Sequence, residues 1–300
     1  MLEQIYKEFC QFLMLKKKSS ENTLSSYKND IKFFIIYLQN KKVDKLEKVT
    51  GKTIQAYITA LQKQNKSEST VARNLSSLRC FFKFLVSQKY ITFNPMLGIK
   101  SKKSQHNLPE ILEAKSIDYL LKQPDTTTDK GIRDKAMLEV LYATGIRVSE
   151  LINIHINDVN TEVGYIIINR ASDKERIVPL YQIAIDSLAM YLKHSRTSFL
   201  KSGAKCDTLF LSSGGTGMTR QGFWKIIKQY ASRAGIKGDI TPKILRHSFA
   251  AHLLENGADI NVLKDMLGHS TISSTKVYTK VLKNKYLSVY ENCHPRARQK

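Results

Sequence analysis

Thr241-Pro-Lys-Ile-Leu-Arg-His-Ser-Phe-Ala-Ala-His-Leu-Leu254 orders the reading of everything around it. Thr241 is a good N-cap and Pro242 a good first helical residue, so a helix opens here. Lys243 and Arg246 stand three apart and share a face. The backbone N–H groups of the first turn add partial positive charge at the same end. The expectation is a helix that offers two cations and its own N-terminus to one anion. His247 and His252 are five apart, which does not align on a helix face. No carboxylate pair has zinc or magnesium spacing, so no metal site is expected.

Two further stretches carry suitable groups. Downstream, Leu267-Gly-His269-Ser leads after nine residues to Tyr278 in Thr275-Lys-Val-Tyr-Thr279. Upstream, Ala143-Thr-Gly-Ile-Arg147-Val-Ser-Glu-Leu151 puts Arg147 at a turn. Gly145 ends one helix there, and Ser149 or a neighbour begins the next. An arginine at a turn can be held in one pose, and its planar fork suits a phosphate. An isolated arginine would more ordinarily form a surface salt bridge, here with Glu150.

The chain has 14 tyrosines, and a phenol of ordinary pKa near ~10 is a poor nucleophile. Tyr278 stands apart because of the company it keeps. Arg147, Lys243, Arg246 and His269 can hold a phosphodiester by its non-bridging oxygens while the phenol attacks. That chemistry needs neither metal nor cofactor. Gly214-Gly-Thr-Gly217 lacks nucleotide-cradle spacing and reads as a plain loop, so no ATP is expected.

Charge points to the same class of substrate. The net charge is +22. Residues 1–105 hold 20 basic against 7 acidic side chains, net +13, and residues 106–300 hold 28 against 19, net +9. A polyanion that touches both parts explains a chain basic throughout. The four cysteines, Cys10, Cys80, Cys206 and Cys293, form no CxxC pair, which suggests thiols in a reducing compartment. No apolar run near the start is long enough to span a bilayer. Glu3 and Glu8 interrupt the first helix, unlike a secretory signal. The expected location is the cytoplasm.

The first hundred residues read as four helices. Leu2, Ile5, Tyr6, Phe9, Phe12 and Leu13 fall at helical spacing. A second helix opens at Glu21, with Asn22 or Thr23 as N-cap, and buries Tyr27, Ile31, Phe34, Ile35 and Leu38. A third runs from about Thr53 to Gln62. The fourth, Ser69 to Ser87, carries Val71, Leu75, Leu78, Phe81, Phe82 and Leu85. Aromatics at this spacing are core residues rather than a base-stacking surface. The lysines between them suit phosphate contacts. Asn94-Pro95 and the basic stretch Lys100 to Pro109 read as a linker. The domains are therefore 1–100, a linker at 101–109, and 110–300. The second domain is mostly helical, with strands expected at Tyr165 to Asn169 and Arg176 to Leu180 around a turn at Ala171 to Asp173. The fold class is mainly α with a small β-sheet or hairpin in the second domain.

These motifs resemble the tyrosine recombinases of the phage integrase family, most closely the Xer branch. Glu21-Asn-Thr-Leu-Ser-Ser-Tyr27 resembles the opening of the family's core-binding domain. Ala143 to Leu151 resembles its first arginine box. Leu245 to His252 with Leu267 to Ser270 resembles the second, and Tyr278-Thr279 stands where the nucleophile belongs. His294-Pro-Arg-Ala297 is similar to Xer endings. The resemblance implies a four-helix core-binding domain and a mixed α/β catalytic domain that clamp double-stranded DNA from opposite sides. It implies a homo-tetramer, or a hetero-tetramer with a related recombinase, on two DNA sites, and no membrane partner. Tyr278 would form a 3′-phosphotyrosine, Arg147 and Arg246 would stabilise the phosphate, and His269 would assist. The role would be chromosome dimer resolution or the integration and excision of a mobile element.

Two positions depart from the family pattern. Lys243 stands where a histidine is usual. The hairpin motif Gly-Lys-Gly-Asn-Lys-Glu-Arg is here Arg170-Ala-Ser-Asp-Lys174-Glu-Arg176, so the position of the acid lysine falls on Ala171. Lys174 or Arg170 reaching inward, or Lys243, would have to supply the proton, with Lys174 first among them. A type IB topoisomerase-like nicking-closing enzyme and a DNA-binding protein that has lost cleavage are the competing functions.

Overall fold

The computed structural model describes residues 2–15, 21–99, 109–200 and 206–279. The chain divides into two compact units, Met1–His106 and Asn107–Lys300. The expected linker, apart from Pro109, and the ending His294 to Ala297 lie outside the described residues.

The first unit is built from α1 (Leu2–Leu15), α2 (Glu21–Asn40), α3 (Gly51–Lys63) and α4 (Glu68–Ser87). Thr50 caps α3 through a reciprocal pair of bonds with Thr53, and Ser67 caps α4 by accepting from the Thr70 N–H. Both helices therefore start slightly earlier than their apolar periodicity suggests, because a cap precedes the first buried residue. Asn22 and Thr23 lie within α2 rather than capping it, since Glu21 is already helical.

Phe9, Phe34, Phe81 and Phe82 are fully buried. Phe9 meets Phe81 edge-on at 5.0 Å, and Phe34 meets Phe82 at 5.9 Å, spacings favoured by the ring quadrupole. The aromatics thus form core. One buried polar cluster crosses from α2 to α4: Asp30 accepts from Arg73 and from Ser77, each at 2.7 Å. Burial pushes the Asp30 carboxyl up from its ordinary value, against these donors.

The second unit surrounds α6 (Asp129–Thr144), preceded by α5 (Ala114–Leu121) and followed by the single turn α7 (Val148–Leu151). Met137, Leu138, Val140 and Leu141 of α6 are fully buried, and so are the paired charges Arg133 and Asp134, so this helix is enclosed nearly all round. It packs against α8 (Gln182–Met190) and α10 (Pro242–Glu255). Between them in sequence lies α9 (Arg220–Arg233), and α11 (Ile260–Leu267) follows α10.

A three-stranded antiparallel sheet, β1 (Val159–Asn160), β2 (Tyr165–Ile168) and β3 (Arg176–Pro179), flanks the helices in that order. Ile168 pairs with Arg176, leaving residues 169–175 as the hairpin turn. β1 was not expected, because two residues are too few to show alternation. Among the described residues, no helix is long and apolar enough to cross a membrane.

Candidate active site

Gly145 turns the chain from α6 into α7. Its φ is +58°, and a Cβ there would lie 2.2 Å from the Phe249 ring. A side chain is thus excluded by both backbone conformation and space. The turn delivers Arg147 to the start of α7, where its backbone N–H donates to Glu150 Oε2 at 2.8 Å. The Arg147 side chain also bonds Glu150, at 3.2 Å. The ordinary salt bridge and the cleft-facing pose therefore coexist.

Three arginines from three separate segments converge on the end of α11. Arg176 Nε donates to Met266 O at 2.8 Å, and Arg246 Nη2 donates to Leu267 O at 2.8 Å. Arg147 Nη2 donates to Gly268 O at 3.2 Å, with a weaker bond from Nη1 to Leu267 O at 3.5 Å. These are last-turn carbonyls, which have no partner within their own helix and carry its negative dipole end. Gly268 ends the helix with φ +62°, and a Cβ there would meet the Arg176 guanidinium at 2.9 Å.

Arg246 is almost wholly buried. It also donates from Nη1 to Gly145 O at 2.6 Å and from Nη2 to His269 Nε2 at 3.0 Å. Burial, then the charge of Arg147, pull its proton affinity down to about 10, which still leaves it cationic at neutral pH. Glu150 balances this cluster. It accepts from Arg176 at 3.1 and 2.9 Å and from Asn169 at 3.3 Å. Burial alone would raise its carboxyl, but the bonds from Arg176 and Arg147 and their charges prevail and hold it at about 2.

His269 accepts from Arg246 at Nε2, so its ring proton sits on Nδ1 and is donated to Thr275 Oγ1 at 2.9 Å. Burial, followed by Arg246 and Arg147, lowers its pKa to about 4. Tyr278 lies on the helical turn that follows, only 1% exposed, packed with Phe249, Leu263 and Leu267. Its hydroxyl lies 2.8 Å from His247 Nδ1. Burial raises the phenol's pKa, while Arg246 and Arg147 oppose the rise.

Arg147, Lys243, Arg246, His247, His269 and Tyr278 line one cleft of about 730 Å³, with Trp224 and the N-terminus of α10 at its wall. Thr241 caps that helix by accepting from the Ile244 N–H, with Pro242 as its first residue, as the sequence indicates. The structure thus gathers five of the six expected site residues. Lys174 does not line the cleft; it is exposed on the hairpin turn, two residues before Arg176. Arg170 is turned aside, with Nε 2.6 Å from Asp158 Oδ1 and Nη2 donating to Asn157 O at 2.6 Å. Ala171, at the usual lysine position, has φ +58°.

Residues 110–285 match the phage integrase family, and residues 6–89 match its N-terminal SAM-like domain. The chain belongs to the phage integrase family. It is a tyrosine site-specific recombinase of the Xer type. It is 42% identical over 296 residues to the tyrosine recombinase XerD of Staphylococcus haemolyticus, covering 99% of this chain and all of the relative. It is equally identical over 298 residues to the XerD of Oceanobacillus iheyensis, with the same coverage. Among solved structures, the XerH site-specific recombinase bound to palindromic difH substrate aligns with a TM-score of 0.78. The identity is 20%, over 95% of this chain and 84% of that one. A lambda integrase dimer bound to a core site aligns with a TM-score of 0.71 at 16% identity, over 92% and 94% of the two chains. These two likenesses bear on the fold.

Sequence reasoning missed three members of this recombinase's site. Glu150 was visible only as a surface partner for Arg147. Arg176 closes the hairpin motif as quoted, yet its grip on Glu150 spans 26 residues. His247 directly follows Arg246, and its position in that box was the available signal.

Proposed function

We propose that this recombinase cuts and rejoins double-stranded DNA through a 3′-phosphotyrosine on Tyr278. The observation that carries the reading is the cleft itself: a buried tyrosine hydroxyl shares it with Arg147, Arg246 and His269. The two guanidiniums bind the scissile phosphate and stabilise the charge that builds on its non-bridging oxygens. Their backbone tethers support this role, since a donor fixed beforehand needs no reorganisation during reaction. His269, neutral and hydrogen-bonded to Arg246, assists at the same phosphate. The energy of the broken bond is retained in the phosphotyrosine, so rejoining needs no cofactor.

In-line displacement sends the 5′-oxygen away from the side on which the nucleophile enters. Lys243 lies one helical turn before His247, which touches Tyr278, and so belongs to the entering side. It acts as a cation on the phosphate. Lys174 is the acid: the hairpin turn carries it to the leaving oxygen when DNA is bound. Its place two residues before Arg176, which grips Glu150 beside Arg147, supports this assignment.

The assembly is a tetramer on two DNA sites, homomeric or shared with a related recombinase. The basic helical unit 1–100 and the catalytic unit 110–300, joined by a linker at 101–109, each contact the duplex. The full-length likeness to Xer relatives supports chromosome dimer resolution in the cytoplasm over a mobile-element role. The test is a suicide substrate nicked near the cleavage point. Wild type is expected to become covalently attached to it, and Tyr278→Phe to bind without attachment. Normal capture by the Phe variant would remove Tyr278 as nucleophile; capture by neither would leave a DNA-binding protein without cleavage.

A further inference from the structure

As Tyr278 Oη bonds to phosphorus, its proton must leave. Most of the groups around it cannot take that proton. Arg147 and Arg246 have donors only, and the charged ammonium of Lys243 likewise has no acceptor. His269 has both ring nitrogens engaged, Nε2 by Arg246 and Nδ1 by Thr275. Among the described residues, the hydrogen-bond partner of the phenol is His247 Nδ1, at 2.8 Å. The two rings are 5.4 Å apart between centroids and tilted by 57°.

We infer that His247 is the catalytic base that takes the proton of Tyr278, and that it returns this proton when the strand is rejoined. The inference rests on Tyr278 being the nucleophile. The Oη–P bond forms, the P–O5′ bond breaks, and the Oη proton moves to His247 Nδ1. The leaving 5′-oxygen takes its proton from Lys174. In the reverse direction the 5′-hydroxyl attacks phosphorus and the imidazolium protonates the departing phenolate.

The surroundings of His247 suit both halves of this cycle. On its own helix it faces Lys243 and Arg246; across the cleft it faces Tyr278 and His269, with Arg147 beyond. Burial, then Lys243 and Arg246, lower its pKa to about 4. The ring is thus neutral at physiological pH, with Nδ1 free to accept from the phenol. A phosphate entering among these cations brings negative charge, which offsets their repulsion and raises the ring's proton affinity as the phenol gives up its proton. The usual histidine three residues before Arg246 is replaced here by Lys243. Lys243 brings no imidazole to the site, whereas His247 lies in contact with the reacting oxygen.

His247→Asn separates base from anchor, because its side-chain oxygen can accept from the phenol but cannot carry the proton away. Single-turnover cleavage of the nicked substrate would be followed between about pH 6 and pH 9, beside DNA binding by gel shift. Wild type is expected to be nearly flat across this range. His247→Asn should bind DNA normally, cleave roughly 100-fold more slowly at neutral pH, and speed up about tenfold per pH unit as the phenol ionises unaided. Wild-type rate and a flat profile in His247→Asn, with Tyr278→Phe inert, would overturn the inference alone. Covalent attachment by Tyr278→Phe would overturn the nucleophile assignment beneath it. Should His247→Asn lose DNA binding, His247→Gln under the same profile provides the reading, and a flat profile there would count equally against the inference.

Discussion

Glu150→Gln tests whether the arginine cluster depends on a single buried charge. The carboxylate is 8% exposed and receives hydrogen bonds from Arg147, Asn169 and Arg176. Its pKa lies at about 2 in the fold against an ordinary 4.5. That gap corresponds to roughly 3 kcal/mol of stability. Glutamine keeps the size and one acceptor but removes the charge, leaving Arg147, Arg176 and Arg246 to repel one another. The loss at neutral pH is therefore about 3 kcal/mol, the range found when one partner of a buried ion pair is removed. The sign follows from linkage. A carboxylate with a depressed pKa stabilises the fold above its unfolded value and ceases to do so as pH falls through its folded value. The difference between wild type and Glu150→Gln should shrink between about pH 5 and pH 2. Denaturant unfolding of both proteins at neutral pH and at steps down this range measures it. A neutral-pH difference below about 1 kcal/mol, or one that does not shrink on acidification, would refute the reasoning.

Two further outcomes are expected. DNA affinity should be steeply salt-dependent, with log K falling against log salt at a slope near −7 if a protomer neutralises ~8 phosphates; a nearly flat titration would contradict a wide phosphate clamp. Lys174→Ala should slow cleavage of ordinary DNA strongly and recover on a substrate with a 5′-bridging phosphorothiolate, whose leaving group needs no proton. Recovery confined to Lys243→Ala would move the acid role to Lys243.

Much of the cleft was legible because its members lie in short, locally constrained stretches. Gly145 and Thr241-Pro242 are backbone signals, and each carries an arginine into the site within a few residues. The four N-terminal helices were legible from apolar spacing, since Phe9, Phe34, Phe81 and Phe82 mark buried faces. Their starts were less so, because Thr50 and Ser67 act as caps just outside the periodic run. What remained hidden depends on long-range contact. Glu150 looked like a surface partner for Arg147 until Arg176 arrived from 26 residues away. The anchors at Met266, Leu267 and Gly268 are backbone carbonyls, which every residue has, so no residue type announces them. Hairpin register was equally opaque: Arg170 has a guanidinium that could reach inward, but Asp158 takes it.

The carbonyl anchors at residues 266–268 also impose an order on how the site comes into being during synthesis. A ribosome delivers Arg147 and Arg176 long before the end of α11 that fixes them, and Tyr278 emerges later still. A nascent chain shorter than this point holds cations without their seat and lacks the phenol altogether. With Tyr278 as the nucleophile, the site gains its cation seat at residues 266–268 before it gains the group that attacks.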